Sequence, residues 1–160
     1  LCTDLPPPPP VVIDLPPPTG AETTRERYEL HASDPSCAGC HVQIDPIGFT
    51  LEHLDAGGRY RELENGLPID DGGAIHGLDE APADGLAVRG PDELATALAA
   101  RPEVAECAAA FVASYAYGLD HHDTSCLVTT PAIDLAEGEL GLVDYVLALT
   151  ATPHFTRRVD

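Results

Sequence analysis

Lysine, methionine and tryptophan are missing from this 160-residue chain, and phenylalanine occurs only three times. Without methionine or lysine, no thioether and no side-chain amine can serve as a metal ligand. Eight basic residues, all arginine, stand against 27 acids, giving a net charge of −19. That balance leaves no basic patch to neutralise phosphates, so neither nucleic acid nor an anionic membrane surface is expected as a partner. Acidity of this order suits a chain kept in solution in a salty or extracellular medium. No apolar run approaches the roughly 18 residues of a membrane span. No basic stretch leads into an apolar one, as it would in an uncleaved secretory precursor. The abrupt start at Leu1-Cys2 reads as a processed, excised or incomplete beginning.

What is present is concentrated in five residues, Cys37-Ala38-Gly39-Cys40-His41. Cys-x-x-Cys-His is the attachment motif for c-type haem. Two thiols three positions apart can each form a thioether to one vinyl group of a haem, and the next histidine then falls under the iron as proximal ligand. Zinc is the main rival. Its motifs bring a second Cys/His pair at matching spacing, and here there is no second Cys-x-x-Cys and no His-x-x-x-His. A redox dithiol is the other alternative. The expected cofactor is therefore one covalent haem c per chain, whose bulk would complement a core poor in aromatics.

The flanking residues extend the pattern. Arg25, Arg27 and His31 precede Asp34-Pro35-Ser36, and Ile44-Asp45-Pro46-Ile47-Gly48-Phe49 follows the motif. Leu51-Glu52, Leu54-Asp55, Gly57-Gly58-Arg59-Tyr60-Arg61 and Pro68-Ile69-Asp70 come next. Further on are Cys107, Tyr115-Ala116-Tyr117-Gly118, Cys126 and Phe155-Thr156-Arg157-Arg158. This series resembles the C-terminal c-type cytochrome region of planctomycete-type multidomain secreted cytochromes, over nearly the whole chain. It departs from that pattern at Gly118-Leu119, where the family places Gly-Arg, and at the His121-His122 pair. The resemblance implies a haem-binding, exported protein, extracellular or periplasmic.

Thioether-bound haem is attached outside the cytoplasm, where disulfides persist as well. Of the three cysteines outside the motif, Cys107 and Cys126 are expected to pair, and Cys2 is left for an intermolecular bridge.

The expected fold is mainly α: a small helical c-type cytochrome-like domain over residues 21–160, with one short β-hairpin and an extended proline-rich arm over 1–20. In the arm, Pro6–Pro10 and Pro16–Pro18 favour polyproline II. Thr23 or Thr24 caps a helix from about Arg25 to Ala32, which Ser33-Asp34-Pro35 breaks. The haem motif rides a short helix that Asp45-Pro46 stops, and another turn or two is expected over Phe49–Asp55. Asn65-Gly66 marks the hairpin, placed within Arg59–Ile75, and Gly72–Val88 reads largely as loop. Pro91-Asp92-Glu93 opens a helix with Leu94 and Leu98 on one face. Another runs from Pro102 to Tyr117 with Val104, Cys107, Ala108, Phe111, Val112 and Tyr115 at helical spacing, ended by Gly118. A last helix over about 138–149 offers Leu140, Val143, Val146 and Leu147 as its buried stripe.

Within the site His41 is the proximal ligand. With methionine and lysine absent, the distal ligand is another histidine or the position is open. His31, six residues before Cys37, is the first choice, ahead of His53, His121 and His122. A backbone carbonyl near Asp45-Pro46 is expected to accept from Nδ1 of His41. Arg59 and Arg61, or Arg25 and Arg27, are the candidate partners for haem propionates. Two filled axial positions favour outer-sphere electron transfer over catalysis. One haem conducts over distance only beside another, so the expected partners are copies of this chain or upstream cytochrome domains, with a redox protein. The alternatives are a five-coordinate, peroxidase-like or sensor haem, and a structural filament subunit with a non-haem metal site.

Overall fold

The computed structural model describes residues 17–78, 81–120, 133–135 and 137–156. The chain is mainly α-helical with short antiparallel hairpins, as expected, and forms two compact units that divide after Ala97. Residues 1–16, His121, His122 and Cys126 lie outside the described residues, and with them the proline-rich arm, Cys2 and the Cys107–Cys126 pairing.

In the first unit, α1 (Thr24–Ala32) starts at a capping box: Thr23 accepts from the Glu26 amide, and the Glu26 carboxylate accepts from the Thr23 amide. Reciprocal capping satisfies two amides that have no partner inside the helix. α2 (Pro35–Gly48) follows at once, with the Asp34 carboxylate accepting from the Ser36 amide at 2.8 Å and Pro35 in the opening turn. The expected stop at Asp45-Pro46 does not occur. The helix continues through Pro46 to Gly48 and tightens into a 3₁₀ turn, Phe49–Leu51. A proline this close to the end forfeits only its own amide bond, and the Phe49 amide still donates to the Asp45 carbonyl.

β1 (Leu63–Glu64) and β2 (Leu67–Pro68) pair antiparallel across Asn65-Gly66, which take φ of 52° and 82°. Positive φ at both central residues is what a two-residue hairpin turn requires. The stretch read as loop contains a second ladder: β3 (Gly72–Ile75) pairs with β4 (Leu86–Arg89), Gly73 opposite Val88 and Ile75 opposite Leu86. The paired glycines that signal a turn serve close approach instead. A Cβ on Gly73 would collide with the Pro46 carbonyl and lie 2.6 Å from Cγ2 of Thr50. β3 is thereby pressed onto the end of α2. α3 (Gly90–Ala99) follows, with Leu94 buried and Asp92 and Glu93 in its first turn.

In the second unit, α4 (Pro102–Tyr117) ends where expected, at Gly118 with φ 67°. Its buried face differs from the expected stripe. Ala109 and Ala113 are fully buried, whereas Tyr115 is 93% exposed and Phe111 50%. α5 (Leu142–Thr150) turns likewise: Tyr145 and Leu149 are buried, and Val143 and Leu147 are exposed at 73% and 60%. Of the expected stripe, Leu140 alone packs on this core. The alanines admit the ring of Tyr145, whose hydroxyl donates to the Ala109 carbonyl at 2.9 Å. A short α6 (Pro153–Thr156) closes the unit.

Candidate functional site

The continuous α2 carries Cys37, Cys40 and His41 on successive turns, so the attachment motif is helical throughout. Both cysteines are free thiols, Cys37 buried and Cys40 half-buried. His41 is fixed from its own helix. Its Nδ1 lies 2.9 Å from each carboxylate oxygen of Asp45, one turn on. The acceptor expected from a nearby backbone carbonyl is thus a carboxylate. With Nδ1–H donating to Asp45, Nε2 is the nitrogen left with a lone pair.

The structure brings His31 and His41 together: α1 ends with the His31 ring edge-on to His41, centroids 4.8 Å apart. Tyr28 stands on the same helix, 6.3 Å from His41 between centroids. The other named histidine in this unit, His53, is elsewhere. Its Nδ1 donates to the Arg61 carbonyl at 2.7 Å, its Nε2 lies 3.7 Å from Asp71, and its ring stacks on Tyr60.

His41 lines a cavity of about 780 Å³, within the size range of small-molecule and cofactor sites. One wall is α2, with Ala38, Val42, Asp45 and Pro46, followed by Phe49. Another is the β3–β4 ladder, with Gly73, Ala74, Ala87 and Val88, and α1 adds Arg25, Glu29 and Ala32. Neither thiol is among the residues lining this cavity. The donor set suits a porphyrin in its chemistry, with two free thiols at i and i+3 and an imidazole whose Nδ1 is engaged, while the His31 ring packs against His41. Among the described residues no group of three or more His, Cys, Asp or Glu is arranged to hold a metal ion.

The arginines separate into two groups. Arg59 is exposed and pairs with Asp55 at 2.9 Å; Arg61 pairs with Glu52 at 3.0 Å and Glu64 at 2.9 Å. Neither lines the cavity. Arg25 does, donating to the Asp70 and Gly72 carbonyls and lying 4.2 Å over the Phe49 ring. So does Arg89, at the end of β4, which pairs with Asp71 at 2.6 Å and Asp70 at 3.4 Å. Arg89 was not singled out in the sequence. Its place depends on the β3–β4 pairing, which the glycines conceal. The Gly72 amide, with Arg25 and Arg89, holds the Asp70 carboxyl below its ordinary range. Burial pushes Glu52 up, and Glu64 adds to this against Arg61 and Arg25.

A family model, PSCyt3, described as a protein of unknown function (DUF1588), matches residues 1–64. That span includes α1, α2 and the whole Cys-x-x-Cys-His motif, and it ends before the β3–β4 wall. No curated protein and no solved structure matches the chain.

Proposed function

We propose that this chain is a single-haem c-type cytochrome that carries out outer-sphere electron transfer outside the cytoplasm. Cys37 and Cys40 carry the thioethers and His41 is the proximal ligand. The observation that carries this reading is the placement of both thiols and an oriented imidazole on one helix, beside a cofactor-sized cavity. The match of residues 1–64 to a family named PSCyt3 is consistent with it. Bound haem would supply the one-electron couple. The protein supplies attachment, the orientation of His41, and a partly apolar wall beside it.

His31 is the proposed distal ligand. Its ring stands edge-on to His41, 4.8 Å between centroids, and the two imidazoles would together hold the haem iron. Arg25 and Arg89, which line the cavity, take the propionate role ahead of Arg59 and Arg61. The expected partners are a redox protein and further haem domains or copies of this chain, with the arm over 1–20 and Cys2 as connectors. A Cys107–Cys126 disulfide belongs to the same oxidising setting.

A second reading, a five-coordinate haem with peroxidase-like or sensor chemistry, draws on one specific observation: among the described residues that line the cavity, His41 is the only imidazole. Intact mass and a reduced-minus-oxidised spectrum decide between haem and no haem, the expected result being one covalent haem. A low-spin ferric spectrum that turns high-spin in His31→Ala supports the electron carrier. A high-spin native protein that binds cyanide quickly favours the second reading, and a protein without covalent haem overturns both.

A further inference from the structure

The geometry points to Asp45 as a positioning residue that sets the electron-donating strength of His41. This rests on the proposed role of His41 as an iron ligand and adds to it a determinant of the redox equilibrium.

Asp45 lies one turn after His41 on α2, and its two oxygens are equidistant from Nδ1, at 2.9 Å. The side chains of the pair are only 19% and 11% exposed, so water competes weakly for the bond. The turn that bears Asp45 is also immobilised. Pro46 follows it, and β3 lies so close that Gly73 has no space for a Cβ beside the Pro46 carbonyl. The backbone turn that carries the carboxylate is therefore packed against a second element. Partners of this kind fix the tautomer and orientation of a ligating histidine and raise its basicity.

A charged acceptor differs from a backbone carbonyl in strength. Hydrogen bonds to ionised groups are shorter and roughly twice as strong as neutral ones. Drawing the Nδ1 proton toward Asp45 leaves more electron density on Nε2. A more donating ligand favours the ferric over the ferrous state, because the ferric ion carries the greater charge. Asp45 thereby holds the potential of this site below that of the same site with a neutral acceptor.

Asp45→Asn keeps the shape and one acceptor oxygen but removes the charge. In the full-length protein with its haem attached, this variant is expected to shift the ferric–ferrous equilibrium about tenfold toward ferrous, a rise of about 59 mV for a one-electron couple. Asp45→Glu, which restores the charge, is expected to recover part of the shift. A haem-loaded Asp45→Asn protein with an unchanged potential overturns the inference, and so does an equal rise in Asp45→Glu. A second readout needs no haem: ¹⁵N spectra of His41 should show Nδ1 protonated in the native chain and a mixture of tautomers in Asp45→Ala. The same tautomer in both overturns the pairing. If the native protein carries no haem, the proposed function fails, while the nitrogen spectra still decide whether Asp45 governs His41.

Discussion

The two units are stabilised by different means. Residues 98–156 build a small conventional core, in which Ala109, Ala113, Tyr145 and Leu149 are all buried to 1% exposure or less. The first unit keeps its buried apolar side chains mostly off its first two helices: Phe49, Ile75, Leu78, Val88 and Leu94 are buried, whereas no residue of α1 is, and of α2 only Cys37. Polar contacts hold α1 instead. Thr24 donates to Glu64 from both amide and hydroxyl, Arg25 reaches two carbonyls of the Asp70–Gly72 segment, and Asn65 donates to the Glu22 carbonyl. A unit that surrounds a cavity has apolar side chains on the cavity wall, so directional bonds take over the work of fixing its helices. Site and scaffold should therefore respond to different insults.

The largest effect is expected in the second unit. Leu149→Ala removes a buried side chain from a four-residue cluster and should cost about 2–5 kcal/mol in urea unfolding. It should leave the first unit's ligand chemistry intact. The counterpart in the first unit is Gly73→Ala, whose added methyl meets the backbone of Pro46. Overpacking of this kind costs about 1–3 kcal/mol, and here it should also loosen Asp45 and blur the His41 nitrogen spectrum. Equal losses from both variants in the first unit's spectrum would mean that the units do not unfold separately.

The pH dependence should divide the units next. Asp70 is lowered, first by the Gly72 amide and then by Arg25 and Arg89 against the effect of burial. On Glu64, burial works upward but Thr24 and Arg61 outweigh it, so its carboxyl too is lowered. A lowered carboxyl stabilises the fold above its unfolded value, about 4, and that contribution is lost as pH falls through the folded value. Tyr145 is shifted the other way, pushed up to about 12 by burial and by Tyr117. Its unfolded form ionises from about 10, so the second unit loses stability as pH rises between those values. Circular dichroism against pH should show an acid limb set by Asp70 and Glu64 in the first unit and an alkaline limb set by Tyr145 in the second. The smallest effect is expected from Arg59→Ala, which breaks an exposed pair and should cost less than about 1 kcal/mol in thermal unfolding.

Local signals carried much of this from sequence. Thr23 to Glu26, Asn65-Gly66 and Gly118 each mark a boundary through their own backbone chemistry, and each boundary is found there. Cys37, Cys40 and His41 are legible because the spacing is itself the chemistry. The buried faces of α4 and α5 were not legible. Alanine adds little to a hydrophobic pattern, so Phe111 and Tyr115 outweighed Ala109 and Ala113, although the small residues are what allow Tyr145 to enter. The β3–β4 ladder was hidden for a related reason. Gly72 and Gly73 look like a turn until the Pro46 carbonyl that requires them is in place. At Asp45 the spacing points to a backbone carbonyl, whereas the side-chain carboxylate is what meets His41.

The polar anchoring of α1 has a thermodynamic consequence. Releasing that helix exposes amides and carboxylates more than apolar surface, and apolar exposure is what gives unfolding its heat-capacity increment. The free energy of opening α1 should therefore be nearly linear in temperature. In hydrogen exchange its amides should show a shallower dependence on denaturant than those of α4 and α5, because a single released helix exposes less surface.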